Sequence, residues 1–221
     1  MATEVQYRNG GLLRLENIQA DRTAQTLNIT EQNGYCVISG DFENGDIIHI
    51  STPESVAGDY VVSSFDGEIE LNFKAVLGLN PADLTGTATG YKVELLPACW
   101  VQDYDLSMGS WNTEEIKNGC GKSITLSNDF ERGEASFNFI ENWDVSLQLA
   151  FKEAFQVAPP AVVVTYQPIA QDDANNKALL GLQEHYRAIV TAIEFNRPND
   201  NYSTGSLTLK VASDIKTERI A

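Results

Sequence analysis

The sequence predicts a mainly β protein of the α+β class, a β-sandwich or β-barrel with one helix packed on it and a hairpin near the C-terminus. Three observations predict it. Short runs that alternate apolar and polar residues recur along the chain, each closed by Gly, Asn, Asp or Pro. A single segment, residues 143–155, changes to helical spacing. Two strongly alternating runs, residues 186–196 and 206–215, lie near the end.

The strands come first. Residues 35–39 form one run, and Asn44-Gly45-Asp46 turns the chain into residues 47–50. Residues 60–64 and 69–73 flank a second turn at Phe65-Asp66-Gly67-Glu68, and residues 91–96 and 135–139 add two more candidates. Turn signals at such regular intervals point to a sandwich or barrel. In the helix, Trp143, Leu147, Ala150, Phe151, Ala154 and Phe155 share one stripe, Asn142 or Asp144 serves as cap, and Pro159-Pro160 stops it. A second short helix is expected over residues 174–184, weakened by Gly181. In the late hairpin, Ile189, Ile193 and Phe195 are expected on one face of the first strand, and in the second Leu207, Leu209, Val211 and Ile215 are expected to point one way and Ser206, Thr208, Lys210 and Asp214 the other. The connection between them, residues 197–205, exceeds what a tight turn needs and reads as a loop with a job. One continuous domain over residues 1–221 is expected, with an assembly loop at 197–205 and a tail at 214–221.

Charge is the unusual property. Fifteen Lys and Arg against 31 Asp and Glu give a formal charge of −16. No base lies between Arg22 and Lys74, where nine acids occur, among them Glu31, Asp41, Glu43 and Asp46. A solvated face accounts for such a stretch, and so does a surface whose work needs a negative field. Gripping of nucleic acid by phosphate neutralisation is disfavoured, because that requires Lys and Arg.

Chemistry-bearing motifs are absent. Gly119-Cys120-Gly121-Lys122-Ser123 ends like a phosphate-binding loop, but Ile116 stands where its first glycine belongs, and a strand-like run follows. His49 and His185 are far apart without ligand spacing, and His49 reads as a core or edge residue. The acids of residues 41–46 do not match a calcium loop, so a turn is expected. Paired acids such as Asp103 and Asp105, or Asp172 and Asp173, are what any acidic chain contains. Trp100, Tyr104 and Trp111 are expected to pack in the core, with a sugar-stacking platform as the alternative. Cys36, Cys99 and Cys120 are read as buried free thiols in a reducing compartment. Residues 1–5 carry neither the basic nor the apolar part of a secretory signal, and no apolar run approaches the ~20 residues of a membrane span. No enzyme activity, metal or cofactor is expected.

The order of elements resembles the major tail, or tail tube, proteins of long-tailed bacteriophages. The resemblance is carried by residues 133–139 leading into the 143–155 helix, by the strands at 186–195 and 206–212, and by the strand-turn phrase of residues 44–50 and 58–62. It implies a protomer that forms hexameric rings stacked into a tube, inside a virion made in the host cytoplasm, with other tail proteins as partners. It also implies an acidic lumen through which DNA passes without sticking; Glu31, Asp41, Glu43 and Asp46 are the candidate wall. The family's extended arm for ring-to-ring contact is assigned to the loop, through Arg197, Asn199, Asp200 and Tyr202, and to the tail, through Ile215 and Ile220. The alternatives are a carbohydrate-binding β-sandwich module, a tail terminator and a head decoration protein.

Overall fold

Alternation along the strands builds two antiparallel sheets in the computed structural model. It describes residues 11–32, 35–65, 68–71, 84, 88–117, 123–142, 146–168, 181–199 and 202–220. The larger sheet has eight strands. Its order is β10 (Val101–Leu106), β13 (Glu134–Ile140), β16 (Thr204–Val211), β15 (Leu182–Asn196), β14 (Ala161–Pro168), β1 (Gly11–Glu16) and β9 (Leu95–Pro97). The last strand, β17 (Lys216–Arg219), pairs with the start of β15. The smaller sheet runs β2 (Gln25–Thr26), β8 (Thr89–Val93), β5 (Ile47–Thr52), β6 (Gly58–Phe65), β7 (Glu68–Leu71), β4 (Tyr35–Ile38) and β3 (Ile29–Gln32). The fold is mainly β with one helix, as the alternation predicts, and the two sheets do not close into a barrel among the described residues.

One face of the large sheet holds the main core. Leu15, Val162, Val164, Tyr186, Ala188, Leu207, Leu209, Phe137 and Phe139 are buried there, and the helix α1 (Ser146–Val157) covers them with Leu147, Ala150 and Phe151. The stripe read from spacing is the stripe that packs, while Trp143 lies outside the described residues. Gln148 joins the buried side for a polar reason. Its Nε2 donates to the Ile140 carbonyl at 3.0 Å and its Oε1 accepts from the Asn142 N–H at 2.9 Å, which ties the helix to the end of β13. The smaller sheet has its own core of Leu27, Ile29, Ile38, Ile48, Ile50 and Val62. A third cluster joins the sheets, with Ile47, Val61 and Val93 of the small one against Val163 and Ile220 of the large one.

Three expectations need correction. Residues 182–184, read as the end of a helix, open the long strand β15, because Gln183 and His185 are held between the sheets and β17 pairs alongside; residues 174–180 lie outside the described residues. Ile189 is exposed and does not share a face with Ile193 and Phe195, because a bulge between Val190 and Ala192 reverses the strand's parity. Cys36 is buried, but Cys99 is exposed, and Cys120 lies outside the described residues.

β11 (Ser110–Lys117) and β12 (Ser123–Glu131) form a third, two-stranded sheet that pairs with neither of the others. They prolong the β10/β13 pair beyond an interruption at Ser107–Gly109 and Arg132–Gly133, where Gly133 lies so close to the Ser107 carbonyl that no Cβ fits. The hairpin therefore leaves the sandwich as a ribbon of eight- and nine-residue strands.

Candidate functional site

The acids singled out in the sequence divide by role. Asp41 and Glu43 are exposed in the turn between β4 and β5, and Glu31 is exposed on β3. Asp46 is not a free surface charge. Its carboxylate accepts from the Glu43 N–H at 2.7 Å and pairs with Lys92 Nζ at 2.6 Å, closing the turn. Gly45, at φ +85°, points its carbonyl at the large sheet, where Arg14 Nη2 and Gln183 Nε2 each donate to it at 3.0 Å. The left-handed backbone demands glycine there, and a Cβ would also strike the Gln183 and Gln167 amides.

A stronger acidic surface was not recognised in the sequence. The small sheet covers only part of the large sheet's second face. Across β10, β13, β16 and β15 the outward positions are Asp103 and Asp105, Glu134 with Ser136 and Asn138, Lys210 with Thr208, and Glu194. All five charged residues are exposed, giving four carboxylates against one ammonium on this four-stranded face. The pair Asp103 and Asp105 thus belongs to a surface row on β10, whose other edge is unpaired among the described residues.

The assembly candidates are dispersed. Arg197 grips Glu141 of its own chain with Nε at 2.9 Å and Nη2 at 2.6 Å, and lies 5.3 Å from the centroid of Phe195. Asn199 is exposed, Tyr202 is 59% exposed, and Asp200 lies outside the described residues. The loop is shorter than read, since Thr204 and Gly205 already belong to β16. Nor is the tail loose. β17 pairs Lys216 to Arg219 with His185 to Leu182, and Ile220 is 6% exposed in the cluster between the sheets. Its side chain serves the protomer. Ile215 packs partly buried against the main core. Among the described residues, the β11–β12 ribbon is the hairpin that pairs with neither sheet of the protomer.

Between the sheets lies a polar layer that alternation alone assigns to solvent. Arg14, Glu16, Thr165, Gln167, Gln183, His185 and Arg187 project from the large sheet toward the small one. Glu16, 1% exposed, accepts from the Val163 N–H at 2.8 Å and pairs with Arg22 at 2.9 Å. Asp59 of β6 takes Arg187 through Nε and Nη2, both at 2.8 Å, and His49 through Nδ1 at 2.8 Å. Burial pushes the Asp59 carboxyl up, but the hydrogen bonds from His49 and Arg187 outweigh it and hold it well below the usual carboxylate range. Ser213 Oγ accepts from the Arg187 N–H and donates to the Asp214 carbonyl.

Glu218, on β17, faces the same layer. Burial raises its carboxyl to about 7 against the opposing pull of Lys216, and its Oε2 has no hydrogen-bond partner. A carboxyl raised in the folded chain contributes stability that is complete below about pH 4 and is lost as pH rises through about 7. Glu218→Gln, which keeps the shape without the charge, is therefore expected to melt at least about 2 °C above the parent at pH 8.5, the shift that ~1 kcal/mol produces in a chain of this size. The two melting curves should converge at pH 5. A lower melting point for the variant at pH 8.5 would show that the ionised carboxylate is stabilised.

The aromatic candidates resolve toward packing. Trp100 meets Phe139 edge-on at 5.1 Å, and Tyr104 stacks on Phe137 at 5.2 Å while its hydroxyl bonds Tyr186 at 3.1 Å. These two are therefore part of the core, and no sugar platform forms from them; of Trp111 only the backbone is described. The residues of 118–122 lie outside the described residues, and Ser123 begins a strand, as expected. No group of three metal-ligating side chains is found among the described residues, and no described helix is long and apolar enough to cross a membrane.

No protein-family model and no curated protein matches the sequence. Among solved structures, the chain is similar to a component of the sheath–tube complex of an extracellular contractile injection system in its extended state. The two are 10% identical, over 58% of this chain and 83% of the other, with a TM-score of 0.42. A component of the anti-feeding prophage baseplate is 8% identical over 57% of this chain and 85% of its own, with a TM-score of 0.45. The crystal structure of Hcp protein is 13% identical over 79% of this chain and 98% of its own, with a TM-score of 0.36.

Proposed function

We propose that the chain is the tube subunit of a phage-like particle, assembling into stacked rings whose inner wall is acidic and lets DNA pass. The observation that carries this reading is the exposed four-stranded face, on which the described residues place Asp103, Asp105, Glu134 and Glu194 against Lys210. A sheet face without a cover is a surface made for solvent, and a row of carboxylates repels phosphate. The edge of β10, unpaired among the described residues, supports lateral pairing between copies, which closes a ring when the rotation per subunit allows. The β11–β12 ribbon supports axial contact, taking over the role first assigned to the loop and tail. The chain acts as a structural protein without catalysis, metal or cofactor, and the ring is hexameric.

The wall assignment is tested by reversing charge. The triple substitution Asp103→Lys, Asp105→Lys and Glu134→Lys is expected to leave the circular dichroism unchanged and to create retention of double-stranded DNA. That retention should fall steeply between 50 and 200 mM salt, by about a thousandfold for some six phosphate contacts per assembly. Asp41→Lys with Glu43→Lys tests the earlier candidate wall; Asp46 is left intact because it holds Lys92. Tight DNA binding by the parent protein at low salt would overturn the conduit.

A further inference from the structure

The space between the two sheets opens into a cavity of about 410 Å3 lined by His49, Asp59, Arg132, His185, Arg187 and Lys216, among others. In a chain of formal charge −16 it gathers three permanent cations. Of the two carboxylates that line it, Asp59 is already engaged by Arg187 and His49. The other, Asp214, stands at the mouth with its side chain 86% exposed, 3.6 Å from Arg132 Nη2. Arg132 Nη1 donates to the Ala212 carbonyl, and the Arg132 side chain is 44% exposed.

Two groups inside are under-used. Lys216 Nζ donates to the Asp59 carbonyl at 3.1 Å and lies 4.8 Å from the centroid of the Tyr60 ring, leaving donors on an ammonium that carries three. His185 is 1% exposed, and neither ring nitrogen makes a hydrogen bond of good geometry within the protein, although the Asp59 carbonyl lies close enough to the ring to favour its protonated form. Burial, reinforced by Lys216, lowers its pKa to about 4, so near neutral pH the ring offers one N–H and one acceptor nitrogen. A buried imidazole whose nitrogens make no well-formed hydrogen bond is uncommon in native proteins and calls for a specific cause. An anion in the cavity would supply one, accepting from the imidazole N–H and from Lys216 and Arg132 together.

We propose that this cavity is a binding site for a small tetrahedral oxyanion of the phosphate and sulfate class, held by Lys216 and Arg132 with the His185 N–H as the buried donor. The site is separate from the acidic wall and does not depend on the tube reading. Its test is a titration of the full chain, labelled with nitrogen-15 in its histidine rings, with inorganic phosphate at pH 7, against chloride at matched ionic strength. The His185 ring signals are expected to shift saturably with phosphate and not with chloride. Lys216→Gln and Arg132→Gln should each weaken the apparent affinity about tenfold or more, as loss of a charge-assisted hydrogen bond does. Arg132 is at the mouth and half exposed, so its variant keeps the fold and carries the test if Lys216→Gln disturbs β17. No phosphate-dependent shift up to about 10 mM, an equal shift with chloride, or unchanged affinity in Arg132→Gln would overturn the site.

Discussion

Arg187→Met is expected to lower the stability of the protomer by about 3–5 kcal/mol, the usual result of removing one member of a buried, hydrogen-bonded ion pair. The substitution keeps the volume of the aliphatic stem but leaves the Asp59 carboxylate, whose side chain is 9% exposed, with only His49 on its charged oxygens. In a chain of this size that loss lowers the melting temperature by roughly 6–20 °C. The acid limb should change as well. Because the Asp59 carboxyl is held below its ordinary range, its contribution is present above about pH 4 and is lost as pH falls below that. The parent should therefore lose stability steeply in acid, and Arg187→Met should show a flatter limb. A thermal melt across pH 2–7 checks both, and a loss below about 1 kcal/mol would place the pair with solvated surface bridges.

Excision of the β11–β12 ribbon is expected to abolish the stacking of rings into tubes without unfolding the protomer. Leu106 and Ala135 are register partners at the ends of β10 and β13, so a two-residue Asn-Gly turn joining Gly109 to Arg132 closes that pair as an ordinary hairpin. Among the described residues the ribbon contributes no pairing to either sheet, so its removal is expected to cost the sandwich little. An isolated two-stranded hairpin is marginal in water, and strands of eight and nine residues reach roughly 25 Å from the body, far enough to meet an adjacent subunit. The excised chain should keep the parent's circular dichroism and melting point and stop at single rings by light scattering and microscopy. Tubes formed by the excised chain would move axial contact to another element.

What the sequence disclosed, and what it concealed, follows from the difference between period and environment. Period alone is enough for the late hairpin, for the strands around Ile47 and Tyr60, and for the helix, whose Leu147, Ala150 and Phe151 are the buried positions. Period cannot say what a polar face meets. Thr165, Gln167, Gln183, His185 and Arg187 alternate with apolar residues exactly as a solvent-facing row does, yet the second sheet covers them and converts the row into a buried network. The same limit hid the wall, because Asp103, Glu134 and Glu194 are distant in sequence and meet only through the register of β10, β13, β16 and β15. The bulge in β15 reversed the side of Ile189, and a one-residue slip of parity leaves no mark on composition. Ile220 looked isolated among charges, but β17 carries it into the contact between the sheets.

Self-association is the central claim, and its most direct measurement is light scattering coupled to size exclusion over rising protein concentration, with negative-stain microscopy of the same fractions. The account predicts a discrete multiple of the 24.3 kDa protomer, seen as rings that stack into tubes as concentration rises. A monomer at every concentration and salt, with no rings on the grid, would contradict it.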